Sequence, residues 1–329
     1  MKCTNNRRLL CIGIVIAMFM PIFSGCGNLA YSFPYNADYD VESFQIIHTE
    51  NVSKSSTFAT DLCVVTDDIL DAAIDSESDN SVAILCDLLE NEVLYAEDAH
   101  TRIYPASLTK IMTAIVALKY GSLDQVLTAS TVVNVTEKGA QLCGVRTGDT
   151  MTLSQALNIL LIYSANDVAM LIAEEIAGSV DEFVLLMNEE AKAIGATNTH
   201  FTNPHGLTDT EHYTTAYDLY LILNEAAKYE KIREIIQQKT YETTYYDKKG
   251  QKKKLSVANT NRYFKGDFNL PKGITLLGGK TGSTNAAGHC LMLLVADDSG
   301  REYISIVVRS TTSDDLYSKM SDLLAKIVK

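Results

Sequence analysis

The sequence of 329 residues is poor in residues that crosslink or stiffen a chain: it has seven cysteines, five prolines and no tryptophan. Three cysteines lie among the first 26 residues, and the other four are Cys63, Cys86, Cys143 and Cys290. Four cysteines in a chain of this length argue against a disulfide scaffold, and the lack of a Cys-x-x-Cys spacing argues against a zinc site. Their three possible pairings stay open, although Cys86 and Cys290 lie in apolar runs typical of buried thiols. We therefore expect a fold held by its hydrophobic core, without a metal.

Positive charge is also scarce, because 28 lysines and arginines face 41 aspartates and glutamates, for a formal net charge of −13. Three of the cations, Lys2, Arg7 and Arg8, fall within the first 25 residues, which hold no acidic residue, so the remainder carries −16. Such a surface argues against nucleic acid as a partner. A hydrophobic content of 47% and a charged content of 21% are those of a globular protein.

The apolar run at the N-terminus, Leu9 to Phe23, has 15 residues, which is short for a membrane span and typical of a signal-peptide core. It ends in Phe23-Ser24-Gly25-Cys26, which resembles a bacterial lipoprotein cleavage box with phenylalanine in place of the usual leucine. We expect residues 1–25 to be a signal peptide of the lipoprotein type and Cys26 to carry the lipid. The protein would then be extracytoplasmic and anchored to the membrane through its N-terminus. An ordinary secretory signal and an uncleaved anchor are the alternatives.

The rest of the chain divides into a tether and one domain. Residues 26–78 show no sustained hydrophobic period and are interpreted as a tether, in which an apolar piece near residues 62–65 can dock onto the domain. From residue 79 to 329, two strand patterns are followed by several helical patterns, then by further strands and a final amphipathic helix at 313–329. This order predicts an α+β fold, with an antiparallel sheet flanked by helices and an additional all-helical part.

A serine and a lysine three residues apart begin one of the apolar helices. Ser107 and Lys110 share one face of this predicted helix, so the hydroxyl can reach the amine. A lysine buried near the positive end of a helix loses its proton easily, and a neutral lysine can activate a serine as a nucleophile. Taken alone, however, Ser107 can equally be the cap of a core helix whose lysine reaches solvent.

Two further motifs decide between these interpretations. Ser164-Ala165-Asn166 lies between two predicted helices, and Lys280-Thr281-Gly282 lies in a glycine-rich run before an apolar strand. The order S-x-x-K, S-x-N, K-T-G is the motif set of penicillin-binding proteins and class A β-lactamases. The chain closely resembles the serine D-alanyl-D-alanine carboxypeptidases, which are low-molecular-mass penicillin-binding proteins. The resemblance covers about residues 81–329 and includes the segments 104–114, 203–207, 213–219 and 280–288.

The resemblance implies a penicillin-binding, β-lactamase-like transpeptidase fold and a set of four catalytic residues. Ser107 would attack the carbonyl of the penultimate D-alanine while neutral Lys110 takes its proton. Ser164 and Lys280 would complete the proton network and pass a proton to the departing amine. No cofactor is implied.

The resemblance also implies the residues that hold the substrate. Asn166 would bind the substrate backbone and Lys110 through its amide. The backbone N–H groups of Ser107 and Ser283 would form an oxyanion hole, with Gly282 letting the substrate approach the strand edge. Thr281, in the field of Lys280, would bind the terminal carboxylate. His205 would shape the wall of the cleft.

The function implied is removal of the terminal D-alanine from the pentapeptide stem of peptidoglycan, with β-lactams as covalent inhibitors that acylate Ser107. A β-lactamase is disfavoured, because the segment 203–207 lacks the glutamate that such enzymes use to activate water. A D,D-transpeptidase or D,D-endopeptidase would use the same acyl-enzyme. A penicillin-binding wall sensor or scaffold with little turnover is the alternative that is not an enzyme.

Overall fold

The computed structural model describes residues 61–70 and 80–328. The predicted signal peptide, Cys26 and most of the predicted tether therefore lie outside the described residues. Within the described ranges, no helix is both long and apolar enough to cross a membrane.

A five-stranded sheet forms the centre of the domain, in the order β2-β1-β9-β8-β7, with every neighbouring pair antiparallel. Its three inner strands are apolar at nearly every position because helices cover both faces of the sheet. The strand β7 is therefore an edge, and its outer side faces the helical part of the molecule. The strands are β1 (Val82–Asp87), β2 (Glu92–Glu97), β7 (Ile274–Thr284), β8 (Gly288–Asp297) and β9 (Glu302–Ser310).

A smaller sheet, in the order β3-β4-β5-β6, borders the helical part. Its strands are β3 (Val126–Thr128), β4 (Thr150–Thr152), β5 (Thr240–Tyr246) and β6 (Lys252–Ala258).

Eight α-helices occur in the described part of the chain. Those that begin after Thr152, Ser179, Thr215 and Thr312 are capped by the side-chain oxygen of that residue, as the sequence favours. The helices are α1 (Lys110–Tyr120), α2 (Leu153–Ile162), α3 (Asn166–Ala177), α4 (Val180–Ala193), α5 (Ala216–Ala226), α6 (Glu230–Ile236), α7 (Arg262–Lys265) and α8 (Ser313–Ala325).

Alternate residues of the central strands belong to two separate cores. Ile84 and Ile306 join the large core, which contains α1, α2, α3 and α5. Leu85 and Val307 join the second core, whose helical side is α8 with Leu316 and Met320. Because successive side chains of a strand point to opposite faces of the sheet, the large helical part packs on one face and α8 packs on the other.

Residues 61–70 pack onto this domain. The backbone N–H of Cys63 donates to the Tyr220 hydroxyl on α5 at 2.9 Å, and the side chain of Cys63 is fully buried. Ile69 exchanges two backbone hydrogen bonds with Ala96 of β2, at 2.8 and 3.1 Å. Four free thiols, including this one, occur in the described chain, and Cys86 and Cys290 are both buried.

The predicted α+β class with an antiparallel sheet is confirmed, and the predicted elements differ mainly at their ends. The helix expected from Ser107 onward begins only at Lys110, because the preceding turn is a 3-10 helix. The sequence pattern also misses the short strands β3 and β4, the helices α6 and α7 and the long strand β7. In β7 the apolar alternation is replaced by glycines, since a Cβ on Gly279 would lie 2.3 Å from the carbonyl oxygen of Met292.

Candidate active site

Ser107 lies in a 3-10 turn, Ala106–Thr109, which we call the serine turn and which leads directly into α1. Its first residue, Ala106, has a φ of +47°, a left-handed conformation that is unfavourable for alanine. Two contacts hold it there. Thr109 Oγ1 donates to the Ala106 carbonyl at 2.8 Å, and Gly206 packs so closely that a Cβ would lie 1.8 Å from that oxygen.

Lys110 is completely buried beside the serine turn. Its Nζ lies 2.8 Å from Ser107 Oγ, 2.6 Å from Asn166 Oδ1 and 2.6 Å from the His205 carbonyl oxygen. Burial first, and then the nearby charge of Lys280, hold the pKa of Lys110 well below its usual range.

The three oxygens around Lys110 Nζ suit both of its protonation states. The charged amine would donate to all three, including Ser107 Oγ. The neutral amine, which the lowered pKa favours, donates to the Asn166 and His205 oxygens and keeps its lone pair for Ser107 Oγ. In that state Lys110 can accept the serine proton, so the pair can act as a nucleophile with its general base.

Ser164 and Lys280 form a second serine–lysine pair across the cleft. Ser164, in the loop between α2 and α3, has a φ of +69° and is nearly buried. Lys280 on β7 donates to Ser164 Oγ at 2.9 Å and to the Thr281 carbonyl at 2.8 Å. Burial lowers the pKa of Lys280 to about 7, so this amine can both hold and release a proton near neutral pH.

Asn166 is the first residue of α3, and its neighbour Asp167 anchors one wall of the cleft. The buried Asp167 carboxylate accepts backbone N–H bonds from Cys143, Gly144 and Val145 at 3.2, 2.8 and 3.1 Å. The Asn166 N–H donates to the Gln141 carbonyl at 2.7 Å. These bonds fix the 141–145 loop relative to Asn166.

The edge strand β7 closes the other wall. A Cβ on Gly282 would lie 2.9 Å from the backbone nitrogen of Ser107 and 3.2 Å from that of Leu108, so only glycine permits this approach. Ser283 follows on the exposed edge. The backbone of β7 thus lies against the serine turn, and Ser107 and Ser283 both line the cleft.

The cleft between these walls has a volume of about 270 Å³. Of the residues predicted from the sequence, Ser107, Ser164, Asn166, Thr281, Gly282 and Ser283 line it. Lys110 and Lys280 lie just behind that surface, each bonded to the serine in front of it.

Beyond Thr281, the cleft is lined by residues that the sequence analysis did not single out. Thr260 and Thr281 are joined by a hydrogen bond between their hydroxyls. Arg262 follows at the start of α7, where its guanidinium bonds Ser313 at 2.9 Å and pairs with two carboxylates, Asp267 at 3.2 Å and Asp314. The hydroxyls of Thr260 and Thr281 are therefore the groups that this end of the cleft offers to a ligand, and no local motif signals Thr260 because it lies on a separate segment from Thr281.

His205 contributes to the site through its backbone. Its carbonyl holds Lys110, whereas its buried imidazole accepts the Leu207 N–H at Nδ1, 3.1 Å away. Burial lowers the pKa of this imidazole to about 3, so the ring is neutral. Among the described residues, no group of three or more His, Cys, Asp or Glu side chains could hold a metal ion.

A second buried histidine, His212, supports the serine turn. Its Nδ1 accepts the Thr202 N–H at 3.0 Å, so the hydrogen of the neutral ring is on Nε2 and is donated to Thr109 Oγ1 at 2.9 Å. Thr109 in turn donates to Ala106, which completes a chain from His212 to the strained residue before Ser107. Burial lowers the pKa of His212 to about 4.

This buried histidine predicts a pH dependence of stability. Below pH ~6.5 the unfolded chain protonates His212 while the folded protein does not, so the free energy of unfolding falls as the pH falls. Between pH 7 and pH 5 we expect the wild type to lose about 1–2 kcal/mol more than His212→Gln, whose side chain offers one amide donor and one amide acceptor but does not titrate. Urea unfolding followed by circular dichroism at each pH measures the difference.

Between pH 7 and pH 8 the two proteins should change alike, since His212 is neutral in the folded and in most of the unfolded molecules. Equal losses of the two proteins between pH 7 and pH 5 would contradict the assignment of a neutral His212.

Comparison with known proteins agrees with this geometry. Residues 70–312 match the family described as D-alanyl-D-alanine carboxypeptidase, peptidase S11. The chain is 34% identical over 247 residues to the D-alanyl-D-alanine carboxypeptidase DacF of Bacillus subtilis, covering 74% of this chain and 60% of the relative. It is 29% identical over 250 residues to DacC of Escherichia coli, covering 73% and 59%. The chain thus spans about 60% of the length of these curated relatives.

A solved structure confirms the predicted fold. The crystal structure of the Streptomyces K15 DD-transpeptidase superposes with a TM-score of 0.68 at 28% sequence identity, covering 79% of this chain and 98% of that protein. The penicillin-binding transpeptidase fold expected from the motifs is therefore correct. With a family match across most of its length, and with its three motifs gathered around one cleft, the chain belongs to the D-alanyl-D-alanine carboxypeptidase family, peptidase S11.

Proposed function

We propose that this protein is a serine D,D-carboxypeptidase that removes the terminal D-alanine from the pentapeptide stem of peptidoglycan through an acyl-enzyme on Ser107. The observation that carries the proposal is the position of Lys110. Its buried amine, with a lowered pKa, lies 2.8 Å from Ser107 Oγ and has two other oxygens within reach to accept its hydrogens. The family supports this activity as its described function.

In the first step, Ser107 Oγ attacks the carbonyl carbon of the penultimate D-alanine, and its proton moves to Lys110 Nζ across 2.8 Å. Negative charge then develops on the carbonyl oxygen. The backbone N–H groups of Ser107 and Ser283 would stabilise it, and the close approach of Gly282 to the Ser107 nitrogen supports this assignment.

In the second step, the C–N bond breaks and the departing amine takes a proton. Ser164 lines the cleft, and Lys280 Nζ lies behind it, 2.9 Å from its hydroxyl oxygen. With a pKa of about 7, Lys280 can replace the proton that Ser164 gives up. D-alanine leaves, and water then hydrolyses the ester on Ser107 to release the shortened peptide.

The substrate would lie along the edge of β7. The terminal carboxylate would bind Thr281 in the field of Lys280, since the hydroxyls of Thr260 and Thr281 lie together at that end of the cleft and Lys280 bonds the Thr281 carbonyl. The Asn166 amide uses its oxygen for Lys110, which leaves its NH₂ for a substrate carbonyl. A β-lactam would enter the same way and acylate Ser107.

The same acyl-enzyme can serve neighbouring activities. One solved relative is a DD-transpeptidase, and one curated relative, 30% identical over 213 residues, is the D-alanyl-D-alanine endopeptidase of Escherichia coli. Transfer to an amine differs from carboxypeptidation in the acceptor of the acyl group, and cleavage of a crosslink differs in the amine that leaves. The residues that activate Ser107 would be the same in all three. A penicillin-binding scaffold would acylate but scarcely turn over.

We propose an extracytoplasmic location, since the substrate lies outside the membrane. Residues 1–25 would act as a lipoprotein-type signal peptide, and a lipid on Cys26 would anchor the catalytic domain, residues 79–329, through the 26–78 tether. The basic, apolar and small-residue pattern of the leader supports this.

The nucleophile assignment predicts that Ser107→Ala abolishes release of D-alanine from a pentapeptide ending in D-Ala-D-Ala, because no other hydroxyl can form the ester. Released D-alanine is measured enzymatically, and a fluorescent penicillin reports acylation. Ser299→Ala, in the β8–β9 turn at the far end of the sheet, is the matched control and should keep full activity.

Equal release by wild type and Ser107→Ala would exclude Ser107 as the nucleophile. Penicillin labelling without any release by the wild type would favour the sensor or scaffold function instead.

The general-base assignment predicts that Lys110→Arg acylates at least about 100-fold more slowly, because a guanidinium has no neutral form at accessible pH and cannot accept the proton. The rate of labelling by fluorescent penicillin measures this step alone. Lys119→Arg, near the exposed end of the same helix, is the matched control and should label at the wild-type rate. A Lys110→Arg variant that folds and labels normally would refute the role of the neutral amine.

A further inference from the structure

The His205 carbonyl that bonds Lys110 belongs to a turn whose shape depends on one side chain, that of Asn203. We call residues 203–207 the asparagine turn. Asn203 Oδ1 accepts the backbone N–H groups of His205 at 3.3 Å and Gly206 at 2.7 Å, and Nδ2 donates to the Leu207 carbonyl at 3.1 Å. An asparagine that bonds the backbone two and three residues further on fixes a tight turn. A single amide thus sets the direction of the His205 carbonyl.

The helix α1 holds the asparagine turn from the other side. Thr113 is fully buried, and its Oγ1 donates to the Pro204 carbonyl at 2.6 Å. Thr113 lies three residues after Lys110, so both side chains project from the same face of the helix. Two successive carbonyl oxygens, those of Pro204 and His205, therefore accept hydrogen bonds from this one face.

The same turn also contacts the serine turn. Gly206 has a φ of +86°, and a Cβ on it would lie 1.8 Å from the Ala106 carbonyl oxygen and 2.9 Å from Thr109 Oγ1. The asparagine turn thus contacts the base through His205 and the turn that carries the nucleophile through Gly206. A displacement of about 1 Å in such a position can reduce a reaction rate about 100-fold.

The charges around Lys110 make its burial decisive. Burial is the main cause of its lowered pKa, the charge of Lys280 lowers this pKa further, and the carboxylate of Asp167 raises it. The imidazoles of His205 and His212 have pKa values of about 3 and about 4, so both rings are neutral at working pH. Water admitted beside the amine would therefore raise the pKa of Lys110.

We propose that Asn203 and Thr113 are positioning residues that hold the asparagine turn in place beside the general base. The His205 carbonyl then takes one hydrogen of the neutral Lys110 amine, which leaves the lone pair for the serine hydroxyl. This inference rests on the proposed function, in which neutral Lys110 is the base, and adds the residues that fix its geometry.

The test measures the rate of acylation by a fluorescent penicillin as a function of pH. We expect Asn203→Ala to acylate about 10- to 100-fold more slowly at pH 7. The acid limb of its pH profile should move to higher pH, because the opened turn admits water to Lys110. Thr113→Val keeps the shape of the side chain but loses the donor, and should show a smaller change in the same direction. Asn203→Asp keeps an acceptor for both N–H groups and should recover most of the rate on the high-pH plateau.

Asn188→Ala is the matched control. The Asn188 amide accepts the Phe201 N–H at 2.8 Å and donates to the carbonyls of Val184 and Phe201 at 3.0 and 2.8 Å. It therefore bonds the chain just before the asparagine turn, with a similar number of hydrogen bonds. Its loss should lower the urea midpoint of unfolding as much as Asn203→Ala does, and leave the acylation rate and pH profile at their wild-type values.

A folded Asn203→Ala with the wild-type rate and pH profile would overturn the positioning role, as would an Asn188→Ala that slows acylation equally. If Asn203→Ala does not fold, Thr113→Val decides, and its acylation at the wild-type rate and with the wild-type profile would overturn the proposal. A wild type that no penicillin labels would instead refute the proposed function, so the two failures are distinguishable.

Discussion

The contact between Lys110 Nζ and Ser107 Oγ, made in a fully buried environment, is the interaction on which the rest of the site depends. A charged lysine here would need carboxylates around it, and the partners present are an amide oxygen and a backbone carbonyl. Burial lowers the pKa of the amine, and the neutral Lys110 can then serve as the base that activates Ser107. The fold must then keep water and counterions away from one side of Ser107 while leaving the other side open to the cleft.

Several elements meet this requirement together. The helices α1 and α3 provide Lys110 and Asn166, the 203–206 segment covers the amine, and β7 approaches the serine turn through Gly282. The left-handed conformations of Ala106 and Ser164 lie on opposite sides of the cleft, each at a residue that places a reactive hydroxyl. Such conformations persist only where the surrounding contacts over-determine them, and the chain from His212 through Thr109 supplies such contacts for Ala106.

The sequence predicted the α+β class and most of the helices, because periodicity is a local signal. The family resemblance carried by the three motifs implied that Ser107, Lys110, Ser164, Asn166 and Lys280 gather in one site, with a strand edge at Gly282. The hydrophobic pattern alone did not reveal β7 as a strand, since the glycines needed for close backbone approach remove the alternating pattern. Asp167, Thr109 and His212 were missed for another reason: their roles depend on hydrogen bonds to residues 22 to 103 positions away. Arg262 enters the lining of the cleft only through tertiary packing, which no spacing in the sequence encodes.

The protonation state of Lys110 can be observed directly. In protein labelled with [ε-¹³C]lysine, the chemical shift of each Cε reports whether its amine is charged, and the spectrum of Lys110→Arg identifies the signal of Lys110. We expect this signal to remain at the position of a neutral amine from pH 7 to pH 10, while exposed lysines titrate near pH ~10.4. A Lys110 signal that titrates together with the exposed lysines would contradict a neutral general base beside Ser107.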